Sequence, residues 1–149
     1  MPIVVARTFI VTAPAPTVLD YLTDFGHTEE WDPATLRATR ADSGPIVVGS
    51  SWRHESRVLG VRAELTYTLC AAGPHRIVFI GRDEGATSTG TFVIRPVDGG
   101  TEVTYQVDLE MHGVAKLATP VMRIEYEKLG TETAARLTGA LNRLTSQAA

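Results

Sequence analysis

Residues 117–144, LATPVMRIEYEKLGTETAARLTGALNRL, decide how this chain must fold. Met122, Tyr126, Leu129, Thr133, Leu137, Leu141 and Leu144 recur every three or four residues, so on an α-helix they form one apolar stripe. Thr119-Pro120 reads as an N-cap followed by proline at the first helical position, and HGVAKLA (112–118) as a short helical lead-in. From 119 to 146 the helix would extend roughly 40 Å at 1.5 Å per residue. Gly130 and Gly139 interrupt it at up to about 1 kcal/mol each without breaking it, and mark places where another element packs close. A stripe of that length must be buried against a large surface.

The rest of the chain supplies that surface. IVVARTFIVTA (3–13) is rich in β-branched residues and predicts a strand. The prolines of APAP (13–16) end it and start a helix in PTVLDYLTDF, with Val18, Leu19, Leu22 and Phe25 at helical spacing. A second short helix is expected from Gly26 to Trp31, closed by Asp32-Pro33. Strands follow: ATLRATRA (34–41), which alternates weakly, GSSWRHESRVL (49–59), VRAELTYTL (61–69), HRIVFIGRD (75–83), ATSTGTFVIRP (86–96) and TEVTYQVDLEM (101–111). Gly60 and Glu84-Gly85 predict hairpin turns. The last strand shows the clearest period of two, with Val103, Tyr105, Val107, Leu109 and Met111 on one face. The order strand, two short helices, six strands and one long helix is α+β. Short turns make the sheet of about seven strands an antiparallel meander, curved around the C-terminal helix.

Composition narrows the class. At 149 residues, 44% hydrophobic and 21% charged, the chain is expected to form a single domain, 1–149, able to fold without disulfide or metal. Net charge is −3 and Lys/Arg are scattered, so no basic face is available for nucleic acid. Cys70 is alone, which rules out an internal disulfide and a multi-cysteine zinc site; a buried structural thiol is expected. The four histidines are dispersed, and no metal or cofactor is expected. No apolar run reaches the roughly 18 residues of a spanning helix. MPIVVARTFIV lacks a charged n-region and a cleavage site, so it does not read as a signal peptide, and cytoplasmic location is the default. The expected state is monomer or homodimer.

Three stretches, VTAPAPTVLDYLTDFGHTEEWDP (11–33), TFVIRPVDGGTEVTYQVDLE (91–110) and the C-terminal segment quoted first, resemble the helix-grip (SRPBCC, START-like) superfamily. That superfamily includes lipid-transfer domains, birch-pollen-allergen-like proteins and polyketide cyclase/dehydrase-like proteins. The resemblance covers essentially the whole chain. It implies an internal cavity between sheet and long helix, Trp31 docked at the rim of the core, and Pro33 turning the chain into the next strand. It implies no particular reaction, because the members include carriers, sensors and enzymes.

FGHTEEWDP (25–33) gathers His27, Glu29, Glu30 and Asp32, but at no compact ligand spacing; adjacent glutamates on a helix diverge by about 100°. It reads as a solvated helix surface with a buried tryptophan. SWRHESRVL is more informative. Trp52, His54, Ser56 and Val58 share one strand face, while Arg53, Glu55 and Arg57 share the solvated one. If the first face looks inward, His54 joins Tyr67, Tyr105 and Tyr126 as polar tips in an apolar chamber, the usual composition of a small-molecule site. Packing among themselves or with water is the structural alternative. His112, just after the last strand, is placed near the cavity mouth; His75, in a turn, is expected exposed. The expected chamber residues are Trp31, Trp52, His54, Tyr67, Tyr105, Met111, Met122 and Tyr126. The expected partner is a small hydrophobic molecule, carried, sensed or scavenged. An aromatase/cyclase or dehydratase with His54 as general base is the alternative, and a protein-partner module with an exposed apolar patch is a third class.

Overall fold

A computed structural model of the chain describes residues 2–148, with side chains to residue 145. β1 (Ile3–Val11) leads into α1 (Ala15–Thr23), a 3₁₀ turn (Phe25–His27) and α2 (Thr28–Trp31). Six strands follow: β2 (Thr35–Arg40), β3 (Ser51–Val58), β4 (Val61–Ala72), β5 (Arg76–Arg82), β6 (Ala86–Val97) and β7 (Gly100–Met111). A second 3₁₀ segment, Gly113–Ala118, runs into α3 (Thr119–Ala148).

The strands form one antiparallel sheet in the order β1-β7-β6-β5-β4-β3-β2. The α1–α2 segment carries the chain from one edge of the sheet to the other. The meander then returns until β7 pairs with β1. α1 opens with Pro14 at its N-cap and buries Val18, Tyr21 and Leu22 on one face. Asp24 stops it and accepts the Gly26 amide at 2.9 Å, which tightens the chain into the 3₁₀ turn.

Two β-bulges break the regular alternation. In β2 the register shifts between Thr35, opposite Ser56, and Arg37, opposite Glu55, leaving Leu36 as the extra residue. Strict alternation from the inward Ala38 would turn Thr35 outward. The bulge turns it inward and leaves Leu36 exposed. The second bulge lies between Leu69 and Ala71. Cys70, expected as a buried thiol, is exposed there, because it alternates with the buried Leu69 and so falls on the outer face.

The two halves of α3 pack differently. Leu137, Ala140 and Leu141 are fully buried in the main core with Val11, Val18 and Leu22. Gly130 lies directly on β1: a Cβ there would stand 2.6 Å from Val5 Cγ1. N-terminal to Gly130 the helix lifts from the sheet; Met122 and Tyr126 pack on a smaller cluster of Ile3, Val5 and Leu109, and Arg7 of β1 donates to the backbone oxygen and carboxylate of Glu127 at 3.0 and 3.1 Å. Thr119 is not the expected N-cap. It is already helical at φ −52°, ψ −46°, because the 3₁₀ segment runs straight into the helix.

Candidate functional site

Where α3 lifts from the sheet it roofs a cavity of about 400 Å³. The floor comes from the inward faces of β3, β4, β6 and β7, and the roof from Met122, Tyr126, Leu129 and Thr133. Most of the wall is aliphatic. The β3–β4 hairpin contributes Val58, Leu59 and Val61 to the lining, and the segment entering α3 contributes Ala115, Ala118 and Val121. The hairpin turns through Leu59 and Gly60, both in the left-handed region at φ 53° and 78°. That turn holds an exposed leucine beside the cavity, in a conformation leucine rarely adopts.

Polar groups converge on one part of the wall: Asp32, His54, Tyr67, Ser88, Tyr105 and Tyr126. Tyr67 is held by aromatic packing, 4.4 Å from Phe25 between ring centroids and 5.2 Å from His54. Burial pushes its hydroxyl pKa up to about 12, with Ser88 opposing and the Asp32 charge adding to the rise. Burial likewise raises Tyr105 and Tyr126, whose fields couple to Tyr67 and Asp32. All three are therefore neutral O–H donors near pH 7. Among the described residues the Tyr105 and Tyr126 hydroxyls bond to no protein group and are not sealed in protein; they open on the cavity.

His54 is 5% exposed. Its Nε2 lies 2.7 Å from Thr35 Oγ1, which donates to Asp32 Oδ2 at 2.8 Å; Asp32 Oδ2 is itself 3.8 Å from Nε2. The other oxygen of Asp32 accepts the Ala34 amide at 2.9 Å. Burial lowers the His54 pKa, and the Asp32 carboxylate works against that shift without reversing it. The imidazole is neutral at pH 7.

Of the residues expected in the chamber, His54, Tyr67, Tyr105, Met111, Met122 and Tyr126 line the cavity. Trp31 and Trp52 do not. Trp52 is fully buried, packed on Phe25 and Phe79 with the Arg40 guanidinium over its ring at 5.5 Å. Trp31 stands edge-on to Phe92 and Tyr105. Both are buried on the inner side of the sheet, but at the end that α1 and the 3₁₀ turn have filled.

Asp32 and Ser88 are wall residues that spacing along the chain does not point to. The FGHTEEWDP stretch is likewise more than a solvated surface. Glu30 accepts from Tyr21, Glu29 accepts the Ala38 amide of β2 at 2.9 Å, and His27 stacks on Tyr21 at 4.1 Å. These contacts splice α2 to its neighbours, and only Asp32 reaches the cavity. His112 bonds to Thr87 at 2.7 Å and is absent from the lining, and His75 is exposed. Among the described residues, no group of three or more His, Cys, Asp or Glu is placed to hold a metal, and no helix is long and apolar enough to cross a membrane.

The family model described as polyketide cyclase/dehydrase and lipid transport matches residues 2–146. The chain belongs to that family. No curated protein matches the sequence. Among solved structures, this family member is similar to the ZhuI aromatase/cyclase from Streptomyces sp. R1128, at TM-score 0.79 and 17% identity over 96% of this chain and 95% of that one. It is also similar to a START superfamily protein from Mycobacterium smegmatis, at TM-score 0.72 and 20% identity over 98% and 99%. A third likeness is to the di-domain aromatase/cyclase BexL from the BE-7585A biosynthetic pathway, at TM-score 0.68 and 15% identity. There 93% of this chain spans 49% of the other, so it corresponds to about half of that protein. At such identities the likeness establishes the helix-grip fold shared across the family. A shared fold does not fix the chemistry, which depends on the groups that line the cavity.

Proposed function

We propose that the protein binds a small, mostly apolar organic molecule between α3 and the sheet, as a carrier, sensor or scavenger. The observation that carries this reading is an aliphatic cavity of about 400 Å³ with unpartnered tyrosine hydroxyls opening into it. A chamber of that size suits a ligand of a few fused rings or a short acyl chain. Removing about 300 Å² of apolar ligand surface from water contributes roughly 7 kcal/mol before ordering costs. The test is native mass spectrometry of protein purified gently from its host, beside Tyr67→Ala and Tyr126→Ala. A co-purifying organic mass that either variant loses is the expected result. Equal retention by both variants counts against the cavity as the binding site.

A second reading is favoured by one observation: His54 is a buried, neutral imidazole on the cavity wall. Such a base could take a proton from the carbon between two ketones of a poly-β-keto chain, with neutral tyrosine hydroxyls stabilising the enolate oxygen. The family, and the aromatase/cyclases of similar fold, are consistent with that chemistry. Turnover of a poly-β-keto substrate that vanishes in a folded His54→Ala protein would establish it. Turnover that persists would assign His54 to binding alone.

A further inference from the structure

The proton positions around His54 follow from its neighbours. The Asp32 carboxylate can only accept, so the Thr35 hydroxyl spends its single proton on Asp32 Oδ2, 2.8 Å away. Thr35 Oγ1 is then an acceptor toward His54, and the 2.7 Å contact to Nε2 requires that Nε2 carry the hydrogen. A neutral imidazole has one N–H, so Nδ1 keeps its lone pair. Nδ1 has no protein partner among the described residues and is not sealed in protein, and the open space beside His54 is the cavity.

We infer that Asp32 and Thr35 are positioning residues that hold His54 in its Nε2–H tautomer, so that Nδ1 faces the cavity as an acceptor and favours ligands carrying a hydroxyl group. The ligand preference rests on the proposed binding function; the tautomer does not. The β2 bulge is what makes the relay possible, because it turns Thr35 to the inner face. The Ala34 amide adds a directional prediction. It pins Asp32 Oδ1, so an asparagine at 32 would keep its oxygen there and place its NH₂ against Thr35. Thr35 would then accept from Asn and donate to Nε2, moving the histidine proton to Nδ1. Asp32→Asn should reverse the tautomer, not merely loosen it.

The experiment is ¹⁵N NMR of the imidazole nitrogens of the full chain without ligand near neutral pH, with His54 assigned by its loss in His54→Gln. The wild type should show Nε2 protonated and Nδ1 bare. Asp32→Asn should show the opposite, Thr35→Val a mixture, and Thr35→Ser the wild-type pattern. A wild-type proton on Nδ1, or a tautomer unmoved by both Asp32→Asn and Thr35→Val, overturns the relay. Thr35→Val and Thr35→Ser keep the test decisive if Asp32→Asn fails to fold. Binding of 2-naphthol against 2-methoxynaphthalene reads the consequence. The wild type should favour the hydroxyl compound by about five- to tenfold, one hydrogen bond's worth; Asp32→Asn should lose that preference, and Thr35→Val, with its mixed tautomers, should weaken it. Equal binding of the two by the wild type overturns the hydroxyl preference. Binding of neither overturns the preference and counts against the binding function, while the tautomer is decided by the NMR spectra alone.

Discussion

The ring of Tyr67 lies flat across Gly81 on the neighbouring strand: a Cβ built on Gly81 would stand 2.6 Å from three of its ring carbons. The glycine is the seat that lets a buried tyrosine lie low on the sheet and still reach the cavity. Gly81→Ala must tilt the ring or part the strands. Overpacking of this kind costs about 1–3 kcal/mol, and it should be visible as a lower urea midpoint with an unchanged slope. Ligand retention should change with it, since Tyr67 moves toward the chamber. A variant as stable as the wild type would show that the ring is not seated there.

Two kinds of tyrosine should separate cleanly. The Tyr21 hydroxyl donates to Glu30, whereas those of Tyr105 and Tyr126 meet no protein partner among the described residues. Tyr21→Phe should therefore cost about 1.5–3 kcal/mol in unfolding free energy, the usual range for a hydrogen bond to a charged group. Tyr105→Phe and Tyr126→Phe should leave stability within about 0.5 kcal/mol while weakening ligand retention. Comparable losses in all three would mean that the cavity hydroxyls are structural.

The two glycines of α3 should respond with opposite sign to alanine. At Gly139 the tightest neighbour of a Cβ is the end of the flexible Arg143 side chain, at 3.4 Å. Gly139→Ala should gain up to about 1 kcal/mol from helix propensity. At Gly130 the same gain is opposed by the collision with Val5, and Gly130→Ala should be net destabilising by about 1 kcal/mol. Thermal or urea unfolding of the pair decides it. Stabilisation by both would mean that α3 does not sit closely on β1.

His54 sets a pH dependence. Burial lowers its folded pKa below the ordinary value of about 6.5, so the unfolded chain takes up the proton first as pH falls. Its contribution to stability is fully present above about pH 6.5 and is lost as pH drops through that value toward the folded pKa, by at most about 1.4 kcal/mol per pH unit. Unfolding free energies of wild type and His54→Gln, compared from about pH 7.5 to 5, should converge on the acid side. Parallel curves would mean that protonation of His54 costs the fold nothing.

The fold is legible in the chain because periodicity survives without coordinates. The apolar stripe from Met122 to Leu144 forces a helix with one buried face, and the alternation from Val103 to Met111 forces a half-buried strand. Parity also puts His54 on one face with Trp52, and Tyr67 on one face with Leu65 and Leu69; that the His54 face looks inward is decided by the fold. It cannot say where along the inner face packing stops and the cavity begins, so Trp52 reads as a companion of His54 two residues away. That boundary is drawn by the α1–α2 segment, whose Phe25 packs over Trp52, and by the lift of α3 beyond Gly130. Asp32 is hidden for another reason. Its link to His54 runs through Thr35, and Thr35 faces inward only because a bulge breaks the strand's alternation.

The sequence alone determined which elements form and which residues share a face in the strongly periodic ones, because both depend on residue spacing along a single segment. Tertiary structure alone decided that a hollow stays open and which groups meet on its wall. Those outcomes depend on where three separate segments cross and on one residue inserted in a strand, and neither leaves a period in the chain.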